Sequence, residues 1–269
     1  MPNPKETLIF LHIPKAAGTT LHAVIDAEYD RQSVYTLDGW PETEARFRNL
    51  PEPERARLRV LKGHMEFGLH TLLPGPSTYV TILRQPLDRL VSHYYYVRGN
   101  PAHHLHAKVR AEDLSLVDYV LRGSTIELDN GQTRLLSASE GLPFGRCTRK
   151  QLELAKRNLR DYFSVVGLTE RFDETLLLLR ARFGWRRSAC SPQNVTKDRP
   201  PLDAIPRSDR EQIARLNCYD QELYDYAAGL FERQIAEAGI AFRWNKAKAG
   251  ALKRLCALVS LPHRISRAG

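Results

Sequence analysis

The sequence predicts a single α/β domain, a mostly parallel sheet flanked by helices. Three observations carry that reading. Short apolar runs alternate along the chain with segments of helical spacing, the pattern of successive βαβ units. Residues 78–83 (TYVTIL) are β-branched, aromatic or aliphatic throughout, the strongest strand signal in the chain. The length, 269 residues without an internal repeat, suits one large α/β domain.

The elements follow in order. Residues 7–13 (TLIFLHI) form an apolar run closed by Pro14, which predicts a buried strand. Residues 14–18 make a tight loop, and Leu21, Val24 and Ile25 place a helix over 19–30. Residues 33–37 are a second strand. The charged stretch 41–57 is helical and interrupted by Pro51 and Pro53, and 58–62 is a third strand. After the TYVTIL strand, a helix with Pro86 in its first turn runs over 86–98. Residues 100–113 are polar and rich in histidine, which predicts a loop. Helices are expected at 114–122, 149–161, 170–183, 208–217 and 221–239, with one more strand at 162–167. Residues 191–206 carry four prolines and read as an extended loop.

Hydrophobic residues make up 42% of the chain and charged residues 26%, enough to bury a core. The formal charge of +9 invites a nucleic-acid reading, but its distribution argues against one. Seven basic residues and no acid lie between Arg243 and Gly269, which leaves the body at only +2. The chain therefore divides into a domain over 1–245 and a basic tail over 246–269. Basic residues mixed with leucines in the tail allow a peripheral contact with an anionic membrane surface; a frayed tail or a helix packed on the domain is the simpler expectation. The four cysteines show no C-x-x-C spacing, so a zinc site is not expected. Without a leader-like segment or an apolar run of spanning length, the expected setting is cytoplasmic.

Two segments carry chemistry. In residues 12–21 (HIPKAAGTTL) a strand ends, a lysine and a glycine follow, and two threonines open a helix. Backbone N–H groups at a helix start favour an anion. Gly18 lets the backbone approach it, Thr19 and Thr20 offer hydroxyls, and Lys15 adds a charge. The sequence is not G-x-x-x-x-G-K-[ST], because the lysine precedes the glycine and no earlier glycine is present. The plain alternative is a βα turn with Thr19 as the helix cap and Lys15 in solvent. In the second segment Arg84 ends the TYVTIL strand and Ser92 follows on the next helix. Ligands of open α/β sheets lie beyond the carboxyl ends of the strands, so Arg84 would face the same crevice as Lys15. Its fork suits a phosphate, and a surface ion pair with Asp88 is the alternative.

Together these segments resemble the PAPS-dependent sulfotransferases, enzymes that take a sulfuryl group from 3′-phosphoadenosine 5′-phosphosulfate (PAPS) and release PAP. The likeness is to the branch of heparan sulfate and uronyl 2-O-sulfotransferases and their bacterial relatives. HIPKAAGTTL resembles the 5′-phosphosulfate loop, which implies donor contacts from Lys15, Ala16, Ala17, Gly18, Thr19 and Thr20. TILRQPLDRLVSHYYYVR (81–98) resembles the 3′-phosphate element, which implies Arg84 and Ser92; Gln85 replaces the usual acidic residue there. Weaker likenesses continue in DNGQTRLLS (129–137), VVGLTERFDETLLLL (165–179), residues 194–197 and LNCYDQELYDYAAGLF (216–231). The resemblance implies a P-loop-like sheet, PAPS as donor without a metal, and in-line transfer to a hydroxyl, expected on a glycan or glycolipid.

Such a transfer needs a cation for the leaving group and a base for the acceptor. Lys15 is the natural cation. In LKGHMEFGLH (61–70), His64 falls where the 2-O branch carries its histidine base, while Lys62 replaces a first histidine of that branch. Glu66 is the rival base. His103, His104 and His106 read as a polar loop beside the acceptor cleft. At least one ring of Tyr94, Tyr95 and Tyr96 is expected in the core. The other classes that stay open are a P-loop kinase, disfavoured by the missing lysine–serine pair, and a nonenzymatic binder of nucleic acid or membrane surfaces through the basic tail.

Overall fold

The computed structural model describes residues 6–186 and 199–259. Five strands form one sheet: β1 (Thr7–Leu11), β2 (Val34–Leu37), β3 (Val60–Gly63), β4 (Ser77–Leu83) and β5 (Phe163–Leu168). Their order is β2-β3-β1-β4-β5 and all pairs are parallel. Leu8 pairs with Val60 on one side and Thr78 on the other, so β1 is central. All five residues of β1 are buried, as a strand covered on both faces requires. The α/β expectation holds, with each predicted strand present within a few residues of its expected bounds.

The helices are α1 (Gly18–Glu28), α2 (Pro41–Arg48), α3 (Glu52–Arg55), α4 (Pro86–Gly99), α5 (His106–Ala111), α6 (Leu116–Leu121), α7 (Gly131–Leu136), α8 (Arg149–Tyr162), α9 (Phe172–Phe183), α10 (Arg207–Leu216) and α11 (Cys218–Val259). The expected interruption falls at Pro51, which separates α2 from α3, while Pro53 lies in the first turn of α3. Two differences stand out. The stretch 100–113 is not a plain loop, because α5 forms there around the buried Val109. Helix α7 had no prediction, because its six residues are all buried and so show no amphipathic period. Helix α11 breaks at Gly239, whose φ is 69°, and then continues to Val259. Residue 246, the start of the expected tail, therefore lies within the second helical segment. Residues 194–197 and the first half of the proline-rich stretch, 191–198, lie outside the described residues.

The main core surrounds β1, β3, β4 and β5 and includes Leu8, Ile9, Phe10, Leu11, Val60 and Ile82. A second cluster joins α4, α5, α6 and α10 through Leu90, Val97, Val109, Tyr119 and Ile213. Tyr94 belongs to it and donates its hydroxyl to the Leu114 carbonyl at 2.7 Å. The chain moves leftward from β1 to β2 and returns past β1 to reach β4. The connections after β1 and β4 thus diverge between adjacent strands, the place where open α/β sheets leave a crevice.

Candidate active site

The crevice is a cleft of about 1430 Å³ over the carboxyl ends of the strands. That exceeds the few hundred to about 1,000 Å³ of a usual small-molecule pocket, giving room for two ligands. Lys15, Ala17, Gly18, Thr19, Thr20, His64, Glu66, Arg84 and Ser92 all line it. Of the sequence-predicted site residues only Ala16, which is buried in the core, does not.

The loop after β1 is shaped by two left-handed residues, Lys15 (φ 66°) and Ala17 (φ 58°). Ala17 is the cap of α1, and no side chain caps the helix start. Thr19 is not the N-cap; it is exposed inside the first turn, while Thr20 is buried. A helix start left without a capping side chain, in a cleft, keeps the positive end of the helix dipole available to an anion.

Gly18 has a different reason from the expected one. A Cβ there would lie 1.8 Å from the Nε2 atom of His12. The space belongs to the protein itself. The buried His12 ring lies against Gly18, stacks on His64 with centroids 4.4 Å apart, and meets His22 Nε2 through its Nδ1 at 3.1 Å. Burial, helped by His64, His22 and Lys15, holds the His12 pKa well below a histidine's ordinary value. His22 is lowered to about 4 by burial and by Lys62 and His64, against the pull of Asp26. Both rings are therefore neutral near pH 7.

Lys15 places its ammonium 3.8 Å from the centre of the Tyr96 ring. Burial, and then the charge of Arg84, lower its pKa to about 8. Arg84 donates from a terminal nitrogen to the Lys15 carbonyl at 2.9 Å and from Nε to Asp88 Oδ2 at 2.7 Å. The ion pair with Asp88 raised as the alternative is thus present, and Asp88 is shared with Arg199. Arg84 nevertheless lines the cleft, as does the buried Ser92.

Reasoning from sequence missed how Arg84 is held. Gln132 of α7 accepts from the Arg84 N–H at 3.0 Å and donates to its carbonyl at 2.9 Å. Asp220 of α11 accepts from the Gln132 and Thr133 N–H groups at 3.2 and 2.8 Å, which fixes the start of α7. Asn130 accepts from the N–H groups of Tyr219 and Asp220, both at 3.0 Å. The segments 129–137 and 216–231 had stood out as distant likenesses; here they meet and brace the strand end carrying Arg84.

His64 follows β3, and its N–H donates to the Leu37 carbonyl at 3.0 Å. Burial lowers its pKa, with Glu127, the His12 backbone and Asp38 pulling the other way. Glu66 is half-buried and accepts from the Glu140 N–H at 2.7 Å. Burial raises the pKa of Glu66, and raises Glu140 to about 7 with help from Glu66 and Glu127. Glu127, another residue missed in the sequence, lines the cleft 3.2 Å from His93 Nε2. Burial opposes its ionisation, but His93 and then Arg89 and His64 hold its pKa at about 2. Its signal was weak, a single acid in a stretch without periodicity. His103 and His104 line the cleft, whereas His106 bonds the Val97 carbonyl at 2.9 Å. Among the described residues no three His, Cys, Asp or Glu side chains converge as a metal site requires.

A family model described as galactose-3-O-sulfotransferase matches residues 2–256. Galactose-3-O-sulfotransferase 3 of Bos taurus and of Homo sapiens are each 29% identical over 263 residues, covering 89% of this chain. The chain spans 60% of the length of these relatives. A heparin sulfate O-sulfotransferase of Drosophila melanogaster is 28% identical over 209 residues, 69% of this chain and 57% of its own. A mouse sulfotransferase solved with PAP aligns with a TM-score of 0.38 and 14% identity, over 82% of this chain and 68% of its own.

Proposed function

Since the chain belongs to the galactose-3-O-sulfotransferase family, we propose that it transfers the sulfuryl group of PAPS to a hydroxyl of a carbohydrate. The observation that carries this reading is the start of α1, without a capping side chain, with Lys15 and Arg84 beside it in one cleft. Two cations and a helix dipole there suit a donor with phosphate at both ends.

In this reading the 5′-phosphosulfate rests on the backbone of Ala16, Ala17 and Gly18 and on the hydroxyls of Thr19 and Thr20. Arg84 and Ser92 take the 3′-phosphate, with Arg84 exchanging its bond to Asp88 for one to the ligand. An acceptor hydroxyl attacks sulfur; a new O–S bond forms as the bond from sulfur to the bridging phosphate oxygen breaks. The bonding pair leaves with PAP, where Lys15 meets the growing charge, and the hydroxyl proton passes to His64. A neutral imidazole is the form that can accept it, and the lowered pKa of His64 favours that form at neutral pH. Stacking on His12, which in turn abuts Gly18, ties the base to the donor loop.

The test is transfer of labelled sulfate from PAPS to a panel of neutral and anionic glycans without divalent metal. Label is expected on at least one glycan. No transfer to any glycan, together with thermal stabilisation by ATP–magnesium and none by PAP, would overturn the reading in favour of a kinase.

A further inference from the structure

The cleft has a second half that the donor does not use. It is built after β2 and β3, on the far side of His64 from Arg84. Gly39 has φ 94°, and a Cβ on it would sit 3.2 Å from the Cβ of His64, so the loop after β2 packs against the proposed base. Asp38 pins that loop: its Oδ1 accepts from the Trp40 N–H at 3.0 Å and from the Thr43 hydroxyl at 2.6 Å. Trp40 comes next, and its side chain stays 65% exposed although it lines the cleft. It is the most exposed large hydrophobic residue among those described, whereas Trp185 is buried at 7%. A large apolar ring held out of the core by a well-bonded turn gains its burial only when a ligand covers it.

We propose that Trp40 is the acceptor platform: its indole takes the C–H face of a neutral hexopyranose and so brings a sugar hydroxyl to His64. The proposal rests on the transferase reading and adds to it the residue that orients the acceptor. A hexopyranose is apolar on one ring face and rimmed by hydroxyl donors, which matches an indole with acceptor groups around it. Glu66 and Glu140 line this half of the cleft, as does Glu44, which is paired with Arg48, the basic residue beside them, at 2.6 Å. Carboxylates accept hydrogen bonds from hydroxyls and repel sulfate or uronate groups. The wall therefore offers acceptors to the hydroxyls of a neutral glycan, while its described basic residue, Arg48, is already paired and gives a polyanionic glycan no open cation.

The test uses the full chain saturated with PAP and two probes, N-acetyllactosamine and a heparin oligosaccharide. N-acetyllactosamine should change the intrinsic tryptophan fluorescence, and Trp40→Phe should abolish that change. In turnover, Trp40→Ala should raise the KM for N-acetyllactosamine about tenfold or more, the factor corresponding to about 1.4 kcal/mol, and leave the KM for PAPS unchanged. Trp40→Phe should recover part of the loss, and Glu44→Gln with Glu140→Gln should shift relative turnover toward the heparin oligosaccharide. PAP binding by Trp40→Ala equal to that of the parent shows that the variant is folded. With PAP bound and acceptor turnover intact, an unchanged acceptor KM in Trp40→Ala, or preference of the parent for heparin, overturns this proposal alone. Absence of PAP binding by the parent overturns the transferase reading and this proposal with it.

Discussion

At the scale of single residues, Lys15 and Arg84 share a cleft but should fail differently. A 3′-phosphate far from the reacting sulfur is held equally in ground and transition states, so Arg84→Ala should raise the KM for PAPS more than it lowers turnover. Lys15→Ala should cut turnover by roughly 10²–10³, because its charge matters most as the phosphate leaves. Steady-state kinetics of both variants separates the roles, and the same pattern in both would refute the division. His64 gives a second contrast. His64→Ala should lower turnover about 10²–10⁴-fold with PAP affinity retained, whereas Glu66→Gln should cost much less. Since burial lowers the His64 pKa, its base form persists below pH 6.5, and the acidic fall in kcat/KM should lie below that value and vanish in His64→Ala. An inactive Glu66→Gln beside an active His64→Ala would move the base to Glu66. Lys15, Arg84 and His64 could be placed in the cleft from sequence because each follows the carboxyl end of a strand, whereas the reason for Gly18 could not be read, since the space beside it is filled by His12. His12 was not singled out. Its partners, Gly18, His22 and His64, are distant or ambiguous in sequence, and a histidine inside an apolar run gives no hint of what it touches.

At the scale of elements, the strands could be read because each is a short apolar run between turn residues. Helices α8 and α10 could be read because one face of each is exposed. Helix α7 could not, since burial on every side removes the periodicity from which helices are inferred. That small helix is nonetheless what holds Arg84 in place. Asp220 accepts from two of its N–H groups and from the Thr133 hydroxyl, and lies 3.7 Å from the buried Arg89. Asp220→Ala leaves those donors unpaired and removes the carboxylate beside the buried Arg89, which among the described residues keeps only its bond to the Glu127 carbonyl at 2.7 Å. It should cost about 3–5 kcal/mol, read as a lower midpoint in urea unfolding. Gln132→Ala should cost less stability but weaken PAP binding, because Gln132 orients the Arg84 backbone. Equal PAP affinity in Gln132→Ala and the parent would show that the strand end holds its shape without α7.

At the scale of the whole molecule, donor binding and folding are linked. PAP at a hundredfold excess over its Kd should add about 2.7 kcal/mol and raise Tm by several degrees. The pH dependence of this gain follows from Lys15. Its folded pKa of about 8 lies below the unfolded value, so charging the buried amine costs stability below pH 8. That cost fades as pH rises toward about 10.5, because the unfolded chain then holds the extra proton. A bound phosphate favours the charged form, so PAP binding takes up a proton above pH 8 and its Tm gain should shrink from pH 7 to pH 9. Scanning calorimetry with and without PAP measures this, and a gain independent of pH would detach Lys15 from the nucleotide. The strand order has an engineering consequence as well. The groups proposed to bind the donor come from the turns after β1 and β4, whereas the loop with Trp40 comes from β2, at the sheet's edge. An edge turn can be exchanged without crossing the central strands. Grafting residues 38–48 from another member of the family, with Gly39 retained against His64, should recode which glycan is modified while the nucleotide half stays intact, making this segment a cassette for redirecting sulfation.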